Sequence, residues 1–150
     1  MTDTKFVYVT YIATTPEKLW EALTSSEFTE KYFFGTKVES DWQEGSQVTY
    51  SRNRETTDYG VVLKFPYRLL SFTWNNVADE SARKEPSQVT FELKQMDATV
   101  KLTLKHENLQ PGDLVEKDDT FEGLNNGWPA ILSNLKSLLE TGKTLPPISI

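Results

Sequence analysis

The chain has 150 residues, with 16 Lys and Arg against 22 Asp and Glu, a formal charge of −6, no cysteine and a single histidine, His106. This excludes disulfide scaffolds, Cys-ligated zinc or iron–sulfur centres and thiol nucleophiles, and it leaves no His-rich metal site. No basic run supports a nucleic-acid surface, and no apolar stretch nears the roughly 20 residues that span a bilayer. No charged n-region followed by an apolar h-region opens the chain, so a cytoplasmic location is the expectation. One domain of this size buries roughly 68–70% of its unfolded surface. The composition is rich in rings, with 4 Trp, 6 Tyr and 8 Phe.

In chain order, Phe6 to Ile12 is dense in β-branched and aromatic residues and reads as a strand. Thr14-Thr15-Pro16-Glu17 places a hydroxyl at a helix N-cap and proline at the first helical position. Leu19, Trp20 and Leu23 then form an apolar stripe. A second short helix carries Phe28, Tyr32 and Phe33 and stops at Gly35.

From residue 37 the period becomes two. The spans 37–42, 47–52, 59–65, 68–74, 88–94 and 99–107 read as six strands of an antiparallel meander, punctuated by Glu44-Gly45, Asn53, Pro66 and Met96-Asp97-Ala98. In the last strand Val100, Leu102, Leu104 and His106 share one dry face. Val62 and Leu69 are placed outward, as scattered exposure or part of an interface.

After Pro111-Gly112 a helical period returns. Phe121, Leu124, Trp128, Ile131, Leu132, Leu135, Leu138 and Leu139 mark a long amphipathic helix that Gly142 ends. Asp118 and Asp119 are expected near its start, where they would oppose the helix dipole. Residues 143–150 read as an extended tail beyond a core of about 6–142. Pro129 kinks this helix, and with Gly123 and Gly127 it weakens the first turns, which serve either as a gate or as a bend along the sheet. The order of elements gives an α+β class, with a curved sheet packed on one long helix and two short helices closing an end.

The segments YVTYIATTPEKLWEALTSSEFTEKYFFG, VKLTLKHE and GWPAILSNLKSLLETG resemble the activator of heat-shock protein 90 ATPase C-terminal-domain-like family. That family lies within the START-like, or SRPBCC, superfamily, which includes the birch-pollen allergen. The resemblance covers about residues 6–142. It implies a helix-grip fold with an internal cavity, whose members bind varied apolar ligands. The family takes its name from the C-terminal half of a eukaryotic cochaperone, and the N-terminal half which that activity also requires is not found in this sequence.

Neither a G-x-S-x-G elbow nor a glycine-rich phosphate loop accompanies His106, and no catalytic residue, metal or cofactor is assigned. His106 reads first as a satisfied structural histidine, with a polar ligand contact and a catalytic base as alternatives. The inward aromatics Tyr50, Phe72, Trp74, Phe91, Phe28, Tyr32, Phe33, Phe121 and Trp128 read singly as core and together as the wall of a cavity. The candidate ligand-binding set is Tyr32, Tyr50, Arg52, Phe72, Trp74, Phe91, His106, Phe121, Leu124, Trp128 and Leu132, with Arg68 a further polar anchor. The expected function is non-catalytic binding of a small, mainly apolar ligand between sheet and long helix. Two alternatives stand beside it: a cochaperone-like module that stimulates a heat-shock protein 90 ATPase, and a cyclase- or hydrolase-like enzyme of the superfamily.

Overall fold

A computed structural model describes residues 4–77 and 85–146. Strand β1 (Thr4–Ile12) is followed by helices α1 (Pro16–Thr24) and α2 (Ser26–Tyr32). Strands β2 (Lys37–Ser40), β3 (Gln47–Arg52), β4 (Glu55–Lys64), β5 (Leu69–Asn76), β6 (Ser87–Met96) and β7 (Thr99–Leu109) come next, and α3 (Leu124–Thr141) completes the fold. The strands form one seven-stranded antiparallel sheet in the order β1-β7-β6-β5-β4-β3-β2, so the meander is closed on one side by the first strand.

Local chemistry explains the boundaries. The Thr15 side chain accepts the Lys18 backbone N–H at 3.2 Å, with Pro16 inside the first turn. Gly142 adopts φ +80° and its N–H caps α3 on the Leu138 carbonyl. The β3–β4 connection is the two-residue turn Asn53-Arg54, both left-handed at φ +54° and +67°, as a primed hairpin turn requires. Strand β2 stops at Ser40, short of the expected Trp42, which sits at φ +54°. Likewise Arg68 at φ +80° lies in the turn before β5 rather than in it.

Beyond Gly142, residues 143–146 form neither helix nor strand, and the Leu145 N–H bonds the Asn134 side-chain oxygen at 2.7 Å. The expected extended tail from Pro147 onward lies outside the described residues.

The core lies between sheet and helices. On β7, Val100, Leu102, Leu104 and His106 are all fully buried. They meet the stripe of Trp128, Ile131, Leu132 and Leu135 on α3, with Leu19, Leu23 and Tyr32 from the short helices. Strand β4 reverses the expected parity. Val62 is buried at 1% exposure, while Tyr59, Val61 and Leu63 face outward at 41%, 42% and 37%. The reason is Gly60, where a Cβ would stand 1.7 Å from the Thr73 carbonyl oxygen. Only glycine allows the close β4–β5 approach at that point, so Asp58, Gly60 and Val62 form the inner row. Leu69 is half-buried. Among the described residues no helix is long and apolar enough to cross a membrane.

Candidate functional site

The space between sheet and helix is divided in two. Deep inside, Tyr32, Tyr50, Phe91, Trp128 and Leu132 close around a void of about 10 Å³, at the lower limit for one water. At the N-terminal end of α3 the layers part into a cleft of about 440 Å³. Its apolar walls come from Phe33, Trp74, Phe121, Leu124, Trp128 and Ile131, and its polar groups from Asp58, Asn76, Ser87 and Asp113. Trp128 borders both spaces.

The candidate residues separate accordingly. Trp74, Phe121, Leu124 and Trp128 line the cleft. Tyr32, Tyr50, Phe91 and Leu132 line the filled interior, and Phe72, fully buried, packs between Tyr50, Trp74 and Phe91. Arg52 stands at the end of β3 and acts on the cleft through the charge of Asp58. Arg68 lies in the turn before β5 against the Tyr67 ring. Phe121 is not in the long helix. Gly123 at φ +83° is the N-cap, α3 starts at Leu124, and the Phe121 ring is 41% exposed at the cleft mouth. Asp118 and Asp119 consequently fall in the preceding loop, beside Lys117, whose carbonyl accepts from Asn126 in the first turn of α3.

His106 is held on both nitrogens. The Trp128 indole N–H donates to His106 Nδ1 at 3.0 Å. An indole nitrogen is a donor only, so Nδ1 is the unprotonated acceptor and the ring proton sits on Nε2. On the other side Ser87 Oγ lies 2.8 Å from His106 Nε2, and the Ser87 hydroxyl donates to the Trp74 carbonyl at 3.0 Å. The chain of donors therefore runs from Trp128 through His106 and Ser87 to the Trp74 backbone. It fixes a neutral imidazole in one tautomer. With the Nδ1 lone pair occupied and Nε2 protonated, this ring is arranged to orient Trp128 rather than to take a proton from a substrate.

The register places Asp58 directly opposite Tyr50 on β3 and Asn76 on β5. Only 8% of its surface is exposed, yet it is well supplied with donors. The Thr57 hydroxyl donates to Oδ2 at 3.0 Å and the Asn76 amide to Oδ1 at 3.0 Å, and the nearby Trp74 side chain adds a smaller stabilisation of the charged form. Burial raises its pKa above the ordinary carboxylate value, and these donors together with Arg52 pull it back. Tyr50 and Tyr32 are both pushed upward by burial, so their phenols stay neutral.

The mouth is shaped by a loop clamped to α3. The Asn125 side chain pairs with the Val115 backbone like a neighbouring strand: its oxygen accepts the Val115 N–H at 2.9 Å, and its amide donates to the Val115 carbonyl at 2.8 Å. Asn126 donates to the Lys117 and Glu122 carbonyls. A Cβ on Gly123 would meet Val115 at 2.7 Å, which explains glycine there. The Asp113 carboxylate accepts the Gln110 N–H at 2.7 Å.

Asp58, Asn76, Ser87 and Asp113 were not among the expected anchors. Gly60 was the signal for Asp58, because a glycine inside a strand marks close backbone approach and Asp58 stands two positions from it on the same face.

The family model described as activator of Hsp90 ATPase homolog 1-like protein matches residues 13–140. No functionally curated protein matches the sequence significantly. Among solved structures, the Aha1 dimer from Colwellia psychrerythraea is 20% identical, with 93% of this chain and 98% of that chain covered at a TM-score of 0.73. A protein from Mesorhizobium loti is 26% identical, with 91% and 96% covered and a TM-score of 0.73. An HSP90 activator from Plasmodium falciparum is 20% identical, with 90% and 95% covered and a TM-score of 0.69. The shared architecture is the seven-stranded sheet with its long C-terminal helix.

Proposed function

Since the chain belongs to the activator of Hsp90 ATPase homolog 1-like family, with its START-like domain, we propose that it binds a small, mainly apolar ligand in the cleft at the N-terminal end of α3. The observation that carries this reading is the cleft itself. Its volume of about 440 Å³ lies within the range of about 300–1,000 Å³ of small-molecule sites, and aromatic and aliphatic side chains with a few convergent polar groups line it. The buried histidine supports the reading through its role in holding Trp128, since a binding wall works best when its rings are fixed before the ligand arrives. The test is a screen of small apolar and aromatic compounds, read by the indole N–H resonances of Trp74 and Trp128. Binding to the cleft shifts both. A screen in which no compound moves either resonance overturns the proposal.

A second reading, interaction with a heat-shock protein 90 chaperone, is favoured by the family description and by the outward row Tyr59, Val61 and Leu63 on β4. Chaperone ATPase rates at saturating protein decide it, and no change in rate rejects it.

A further inference from the structure

We propose that the ligand of this cleft is an organic cation, a methylated ammonium on a compact apolar body, seated against Trp74 and Trp128 with its charge toward Asp58. The inference rests on the reading of the cleft as a ligand site and specifies the chemistry that site selects. Three features carry it.

First, a carboxylate stands in a largely apolar wall. Asp58 shares the inner row of β4 with Gly60 and Val62, where a wall meant only for a neutral apolar molecule calls for an aliphatic side chain. Asp113 also lines the cleft, and no lysine or arginine does among the described residues. Arg52 acts on Asp58 from the end of β3 without entering the lining.

Second, the Trp128 indole N–H is already engaged, since it donates to His106, and the Trp74 side chain stands beside the Asp58 carboxylate and helps to hold its charged form. The partly exposed rings of Trp74 and Phe33, backed by the buried Trp128, therefore offer a ligand mainly π surface, whose negative face attracts cations and repels anions. The rings also stand steeply to one another, with Trp74 and Trp128 at 64° and 5.5 Å, and Phe33 and Trp128 at 84° and 5.9 Å. Steeply inclined aromatic walls suit a rounded ammonium head, as in the cages that bind methylated amines.

Third, each Asp58 oxygen already accepts a hydrogen bond from a neutral donor. The carboxylate thus presents its field more than an open acceptor, which favours an alkylated ammonium that needs no hydrogen bonds over one that must replace several. The formal charge of −6 on the whole chain works in the same direction over longer range.

The experiment uses the full chain and three probes of matched shape: phenyltrimethylammonium, tert-butylbenzene and benzenesulfonate. Titrations follow the Trp74 and Trp128 indole resonances. The cation should bind about tenfold more tightly than its neutral isostere, the sulfonate should leave both indoles unmoved, and the cation-to-neutral ratio should fall toward one in Asp58→Asn. Equal or tighter binding of tert-butylbenzene, or binding of the sulfonate, overturns the cation inference and leaves the apolar cleft intact. A cation preference that Asp58→Asn does not change overturns the role given to Asp58. If none of the three moves either indole at millimolar concentration, the cleft reading fails and the inference fails with it. The wild-type series decides the charge preference even if the variant folds poorly.

Discussion

Replacing Trp128 by Phe tests whether His106 is an orienting residue held by an indole donor. Trp128 is 3% exposed and His106 fully buried, so the substitution leaves Nδ1 without its donor where water cannot replace it. An orphaned buried acceptor costs about 1–3 kcal/mol. The smaller ring also leaves space beside Phe33, Trp74 and Phe91, which Trp128 now contacts at centroid distances of 5.5–6.0 Å, and that adds about 1 kcal/mol. A total near 2–4 kcal/mol lowers the Tm of a chain this size by about 4–16 °C. His106→Leu should cost a similar amount, because it orphans the indole N–H instead. The double variant leaves neither group unpaired, so its cost should fall short of the sum of the singles by about 1–2 kcal/mol. Thermal unfolding measures the cycle. Long-range proton–nitrogen spectra of the wild type should show His106 protonated at Nε2 and bare at Nδ1 at neutral pH. Additive costs, or a proton on Nδ1, would refute the assignment.

Four further predictions concern the elements that shape the cleft. Because burial raises the folded-state pKa of Asp58, its contribution to stability is full below the ordinary value near 3.8 and is lost as pH rises through the folded value, so Asp58→Asn should gain Tm relative to wild type between pH 3.5 and 7; a difference that is flat or falls with pH contradicts this. Gly60→Ala drives a Cβ into the Thr73 carbonyl and should lower Tm by more than about 10 °C or abolish folding, as circular dichroism will show. Arg54→Gly relieves a left-handed residue in the primed β3–β4 turn and should raise stability by about 0.5–1 kcal/mol in urea unfolding. Asn125→Ala removes both bonds to Val115 and should cost about 1–3 kcal/mol, with hydrogen exchange of the Val115 amide accelerated selectively.

Most of the architecture is legible in the residues because it rests on periodicity and capping. The alternation Val100, Leu102, Leu104, His106 gives β7 and its buried face directly, and the Thr15-Pro16 start and Gly142 stop place α1 and the end of α3. Strand β4 misleads for a definite reason. Its more apolar set, Tyr59, Val61 and Leu63, is the outer one, since the inner row is set by backbone approach at Gly60 and by the cleft at Asp58. Phe121 misleads because its three-residue spacing to Leu124 continues the apolar stripe through a glycine whose positive φ ends the helix. The clamp of Asn125 on Val115, and the pairing of Trp128 with His106 across 22 residues, join side chains to partners with no periodic relation to them. Such pairings become visible only once the chain is folded.

The division between filled interior and open cleft also bounds what can bind. Trp128, with Phe33 and Ile131 beside it, is the partition. A ligand that reached past it toward Tyr50 and Phe91 would have to break the bond to His106 and find room in a void of about 10 Å³, far less than a single methylene chain needs. Tyr32 reinforces the barrier, because its hydroxyl donates to the Ala22 carbonyl at 2.8 Å and its own carbonyl accepts from Asn134 on α3. Close-packed aromatics held by hydrogen bonds do not yield that space cheaply. On the proposed reading the cleft therefore takes compact ligands that fill it up to the Trp74–Trp128 wall, and excludes extended chains that need the full length of the helix.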